Sequence, residues 1–298
     1  MTPAVEWRGG VHLTDTPLWC DALRARDACF VSSARVPGTR RHKQIIATET
    51  TLRLLPKSNA ATLSVPFGHP FSLGDLRLEL FPSGATLGAA SLMVTKGDVR
   101  IVYAGAVRPA HESSELRRCD VLVVDATFGH PRFRFPRQDD VRQALRTWVA
   151  HQETPVLLCD GNVLDVAAAL DGPLCAHRSF APLFHEVGTP VHFGTPRPGD
   201  VVLWPQSTRP RFACQTALVS GWAIDPTHGP THGSSHGIDV AFAWSDRAGW
   251  DDLVGYVEAT CAREVYLQNG GEELAHALCS RGLLARTIGP PRQLALFS

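Results

Sequence analysis

Arg118-Cys119-Asp120-Val121-Leu122-Val123-Val124-Asp125-Ala126-Thr127-Phe128-Gly129-His130 is the stretch that decides the fold. The apolar run 121–124 contains three valines, as expected of a buried strand, and it ends on an acid followed by small residues. That ending marks a strand that opens into a functional loop. Upstream, Leu76, Leu78 and Leu80 alternate with polar residues, and the run 99–105 (VRIVYAG) again ends small. Downstream, Val141, Leu145, Trp148 and Val149 fall on one face of a helix over 138–151 that covers the sheet. The runs PVLLCDGN, GDVVLWPQ and DVAFAW read as further buried strands, and amphipathic helices over 251–262 and 272–281 flank the strand REVYLQ. The order predicts a layered α/β fold without internal repeats. Exposed loops are expected at 196–199, 206–210 and 225–237, and Gly289-Pro290-Pro291 ends the packed part.

With 298 residues, 44% hydrophobic and 19% charged, the chain can bury a large core. Lys plus Arg and Asp plus Glu each number 29, so a globally basic nucleic-acid surface is excluded while a local basic cleft is not. No run approaches the roughly 20 apolar residues of a membrane helix, and residues 1–10 lack a signal-peptide pattern; the expectation is a cytoplasmic protein without a membrane partner. The eight cysteines never form CxxC, and several sit in apolar runs, so reduced core thiols are expected.

Six further stretches share an order and spacing with a known family: FPSGATLGAAS, IVYAGAVRP, RCDVLVVDATFGHPRFRFP, SGWA, WSDRAGW and VYLQNGG. Over 7–284 the chain resembles β-CASP metallo-β-lactamase nucleases, and in particular the bacterial ligase-associated DNA exonucleases. The resemblance implies a four-layer αββα lobe (1–128 and 221–288) interrupted by a β-CASP insertion (129–220), with a tail at 289–298. It also implies metal ligands that this chain does not carry. Ser33, Arg35, Pro37 and Gly38 stand at the HxHxDH ligand positions, Ala85 and Ala106 replace a His and a bridging Asp, and Asn269 replaces the last His. Arg247 stands where the family has the histidine that protonates the leaving group.

Without imidazole and carboxylate donors no ion can activate water, so no catalytic residue, resident metal or cofactor is expected. Asp125 is then expected to act as a structural hydrogen-bond acceptor. Arg35 and Arg247, with Arg132 and Arg134 interleaved among Phe133 and Phe135, suit single-stranded or end DNA, as do Arg40, Arg41, Lys43 and Arg137. The alternative for these arginines is pairing with local acids. The last residues, Gln293-Leu294-Ala295-Leu296-Phe297-Ser298, are similar to the QLxLF peptide that docks into the bacterial DNA sliding clamp, with Gln293, Leu294, Leu296 and Phe297 as its contacts.

The leading expectation is therefore a non-enzymatic binding or scaffold subunit in bacterial DNA repair. Its implied partners are the clamp and a DNA ligase, a helicase or an active nuclease. Two alternatives stand beside it. One is a metal-dependent DNA exonuclease with a displaced metal held by His228, His232, His236 or other histidines, although Gly and Pro between the three break the helix that would align them. The other is an RNA-processing pseudoenzyme subunit. No Walker-type loop or hydrolase serine elbow is present.

Overall fold

The computed structural model describes residues 4–225 and 237–290. His228, His232, His236, Gln293, Leu294, Leu296 and Phe297 lie outside the described residues. The chain divides into two compact units, one made of 1–130 and 251–298 and the other of 131–250.

The first unit begins with a six-stranded sheet, β1 (Val5–Trp7), β2 (Val11–Leu13), β3 (Leu18–Cys20), β4 (Ala28–Phe30), β5 (Gln44–Ala47) and β6 (Ala61–Ser64), in that order. α1 (Glu49–Leu54) interrupts it and is capped by Thr48, whose hydroxyl oxygen accepts from Thr51 N at 3.1 Å. A second sheet follows: β7 (Phe71–Leu73), β8 (Leu76–Pro82), β9 (Ala90–Lys96), β10 (Val99–Gly105) and β11 (Val121–Asp125). In β8 the alternation is realised, with Leu76, Leu78 and Leu80 buried and Arg77 exposed. β11 is apolar and buried over 121–124, as expected of a strand that pairs in parallel on both sides, and it ends on Asp125.

The second unit carries the helix α2 (Gln138–Val149), then β12 (Pro155–Cys159), α3 (Val163–Ala168), β13 (Leu174–Ala176), α4 (Ala181–Val187), β14 (His192–Phe193), β15 (Val201–Pro205), β16 (Gln215–Val219) and β17 (Val240–Phe242). Its sheet is wholly parallel, ordered β14-β13-β15-β12-β16-β17. Val141 and Leu145 of α2 are buried with Phe180 and Phe184 against one face of it, as expected of the helix read over 138–151. β17 pairs with β16, so this unit includes residues 240–242.

The chain then re-enters the first unit through α5 (Trp250–Thr260), β18 (Glu264–Gln268), α6 (Glu272–Cys279) and β19 (Leu284–Ile288); β18 and β19 extend the second sheet beyond β11. The two sheets of this unit bury one shared core, in which Phe30 and Ile46 of the first meet Leu78, Leu92, Tyr103 and Val123 of the second. Leu52 of α1 packs on the outer side of the first sheet, with Cys29, Val31 and Ile45. Tyr256 of α5 is only 2% exposed. The α/β class is as expected.

Five of the eight thiols are buried and Cys214 is half-buried, whereas Cys261 and Cys279 are exposed, so the core-thiol reading does not extend to those two. No helix among the described residues is long and apolar enough to cross a membrane.

Candidate functional site

In the first unit β8, β10, β11 and β18 all end at one edge of the second sheet, because β10, β11 and β18 are parallel and β8 is related to β10 through two antiparallel pairings. The residues just past those ends are Ala85, Ala106, Asp125 with its following turn, and Asn269. The chain leaving β4 joins the same edge, since Ala90 N donates to Ser32 O at 2.8 Å. A Cβ on Gly105, which has φ +61°, would stand 3.3 Å from the Ser32 hydroxyl oxygen. Ser33, Ala85, Ala106 and Asn269 thus lie at the same edge of the first unit, while Arg247 belongs to the second unit.

The turn carrying Ala85 is held from below: the Thr48 and Thr51 hydroxyls donate to Gly88 O at 2.7 and 2.9 Å. Ser33 is committed to its own turn, its hydroxyl oxygen accepting from Arg35 N at 3.1 Å. Asn269 adopts φ 62°, and its amide donates to Asp125 Oδ2 at 2.8 Å, while Thr127 N donates to Asp125 Oδ1 at 2.8 Å. Asp125 accepts hydrogen bonds, as the sequence reading expects of it.

The sequence reading missed a second acid at this edge. Asp21 follows β3, has φ 45°, and accepts three hydrogen bonds: Ser32 N at 2.8 Å, Ser32 Oγ at 2.6 Å and Tyr103 OH at 2.8 Å. Burial raises its pKa above the ordinary carboxylate range; the Ser32 and Tyr103 hydrogen bonds oppose that rise, and the nearby charge of Asp125 adds to it. Burial, followed by the charge of Asp21, pushes the Tyr103 hydroxyl well above its usual value. A lone Asp in WCDAL gives no pattern from which this partnership could be read.

A two-metal centre requires several nitrogen and oxygen lone pairs converging on each ion. This edge offers Ser33, Ala85, Ala106 and Asn269, one carboxylate with both oxygens already accepting, and a second occupied by three donors. That donor set does not fit a metal pair.

Among the proposed nucleic-acid contacts, Arg35 is exposed in the first unit. The others belong to the second. Arg132 pairs with the buried Asp225 at 3.3 Å and lies over the Phe133 ring at 4.8 Å. Phe133 is only 2% exposed and meets Trp222 edge to face at 5.4 Å, so it packs in the protein and is not presented for base stacking. Arg134 is exposed. Arg247 is half-buried beside Asp246 at 3.5 Å, and its backbone N–H donates to Ser245 Oγ. Lys43 pairs with Asp27 at 2.6 Å on the open surface.

No protein-family model matches the chain. A protein described as a probable DNA ligase from Opitutus terrae is 27% identical over 325 aligned positions, covering 98% of this chain and 32% of that protein. A second match, 28% identical over 88 residues, covers 29% of this chain and 63% of an uncharacterized protein in the lig 3′ region of Acidianus ambivalens. The chain therefore spans about a third of the ligase relative and less than two thirds of the other. Among solved structures, a protein of unknown function from Enterococcus faecalis V583 superposes with a TM-score of 0.61 at 13% identity, over 89% of this chain and 79% of that one. The likeness to that structure is one of fold, and the likeness in sequence is to a protein described as a ligase.

Proposed function

We propose that this chain is a catalytically silent relative of metallo-β-lactamase/β-CASP nucleases that works beside a DNA ligase as a binding or scaffold subunit in DNA repair. The observation that carries the proposal is the edge occupied by Ser33, Ala85, Ala106, Asn269 and the hydrogen-bonded Asp125 and Asp21. An edge whose acids are consumed by local donors and whose remaining side chains are small or neutral has no group to generate a nucleophile. The two ligase-linked relatives support the setting: one is described as a probable DNA ligase, and the other takes its description from a lig 3′ region.

In this reading Arg35, Arg132, Arg134 and Arg247 hold the phosphates of single-stranded or end DNA without cutting them. Gln293, Leu294, Leu296 and Phe297 dock on the sliding clamp. The test is a strand-scission assay on labelled single- and double-stranded DNA and on RNA, in excess Mn²⁺, Mg²⁺ or Zn²⁺. No cleavage above background is expected, together with measurable binding to single-stranded DNA. Cleavage that rises with an added cation would overturn the silent edge, and preferential RNA binding would move the subunit to RNA processing.

A further inference from the structure

The second unit contains a set of donors that the silent edge lacks. Cys175 and His192 are register partners on the adjacent parallel strands β13 and β14, and Asp200 is the residue just before β15. One ligand atom from each of the three lies within 4.8 Å of the others. Leu174 and Ala176 point into the helix-covered core, so Cys175 between them faces the opposite side of the sheet. Cys175 and Asp200 are 1% and 3% exposed.

The polar contacts among them are few and specific. His192 Nε2 lies 2.6 Å from Asp200 Oδ2, which also accepts from Arg197 N at 2.6 Å, and Cys175 Sγ lies 3.7 Å from Gly194 O. β14 is a two-residue edge strand, held by its pairing with β13 and by Val191 and Phe193 against the core.

We propose that Cys175, His192 and Asp200 form a mononuclear zinc site that pins β14 to the rest of the sheet. Thiolate, imidazole and carboxylate together suit zinc, whereas calcium and magnesium take oxygen donors. Donors around a tetrahedral zinc stand roughly 3.5 Å apart, which follows from metal–ligand distances of about 2.0–2.3 Å. The cluster therefore closes by about an ångström around the ion, and His192 and Asp200 separate as the cation replaces the hydrogen between them. On binding, the Cys175 thiol proton leaves to solvent, and the one proton of the neutral imidazole passes from Nε2 to Nδ1 by exchange with water, which frees Nε2 to coordinate. The fourth position falls to water or to the Gly194 carbonyl oxygen.

This site is independent of the proposal for the first unit, and its test does not involve strand scission. The chelator-stripped full chain is titrated with Co²⁺ and then with Zn²⁺, following the thiolate-to-cobalt charge-transfer absorption. One equivalent of cobalt should give that band and one equivalent of zinc should erase it. Cys175→Ala should lose the band and weaken zinc binding at least tenfold. Replacing His228, His232 and His236 together with Ala should leave both unchanged. Cys175→Ser serves as the second variant should the alanine protein fail to fold, which circular dichroism reports. A wild-type spectrum without the thiolate band, or a band that survives loss of Cys175, overturns the assignment.

Discussion

The two units expose the carboxyl ends of parallel strands, and they use that position in opposite ways. In the first unit Asp125 and Asp21 are acceptors spent on neighbours: a turn N–H, the Asn269 amide, a serine and a buried tyrosine. In the second, the main polar clip is a neutral amide. Asn162 Nδ2 donates to Val219 O at 3.1 Å and to Trp244 O at 2.9 Å, and its Oδ1 accepts from Asp160 N at 3.1 Å, tying together the ends of β12, β16 and β17. Cys175, His192 and Asp200 lie away from those carboxyl ends, Cys175 in mid-strand, His192 opening β14 and Asp200 just before β15, with Asp200 also accepting from Arg197 N and Cys175 facing Gly194 O. Strand ends in α/β folds collect loops and ligands; whether such an end becomes a metal site depends on how many nitrogen, sulfur and oxygen donors converge there.

The largest effect should come from breaking the acidic lock. Asp21→Ala leaves Ser32 N, Ser32 Oγ and Tyr103 OH without their acceptor in a buried setting, and should cost about 3 kcal/mol in urea unfolding. The pH dependence carries a sign. Because the folded pKa of Asp21 is raised, its titration adds stability that is complete in acid, below the ordinary carboxylate value, and is lost as pH rises through the raised value. The margin of the wild type over Asp21→Ala should therefore widen on acidification; a margin that narrows would mean that the hydrogen bonds, and not burial, dominate that carboxyl group. Asn162→Ala removes the corresponding clip of the second unit and should cost about 2 kcal/mol, with no dependence on pH between 4 and 8, roughly the interval over which carboxylates and histidines change charge.

Much of this frame was legible in the sequence. The alternation of Leu76, Leu78 and Leu80 and the Val141/Leu145 stripe of α2 each carry a period that one element satisfies, while the short, valine-rich apolar run of β11 is marked as a strand by its length and β-branching. The six-residue helices α1 and α3 and the three-residue strands β1 to β4 are too short to show any period. β19 is an edge strand whose residues are mostly exposed, so no burial pattern is imprinted on LARTI. That Ser33, Ala85, Ala106 and Asn269 bring no imidazole or carboxylate is visible without coordinates. The Asp21–Ser32–Tyr103 lock is not, because its members come from three elements, and neither is Cys175–His192–Asp200, where strand register supplies the proximity. Phe133 shows the reverse failure: an aromatic between two arginines looks like a stacking platform until its burial is known.

A smaller effect concerns the arginines. Arg35→Glu combined with Arg247→Glu removes two positive charges and adds two negative ones, and single-stranded DNA affinity should fall at least tenfold. The slope of log affinity against log salt should flatten by about 1.4, as expected when two phosphate contacts to single-stranded DNA are lost. Unchanged affinity would leave those arginines to local acids such as Asp246. Arg132→Ala should do less to binding than the double reversal, since its guanidinium is already shared between Asp225 and the Phe133 ring.

The smallest effect on the folded protein should follow from deleting 293–298, a change that tests docking and leaves both strand edges alone. The residue types of this segment suit docking: glutamine can hydrogen-bond at a pocket rim while a leucine and a phenylalanine fill adjoining apolar pockets. Melting temperature and DNA affinity should stay within error of the wild type, while retention on immobilised sliding clamp should fall to background. Equal retention would remove the clamp from the list of partners without touching the comparison between the two edges. Loss of retention accompanied by a lower melting temperature would mean that the same six residues also stabilise the fold, and Leu296→Ala with Phe297→Ala, read against Gln293→Ala, would separate the two roles.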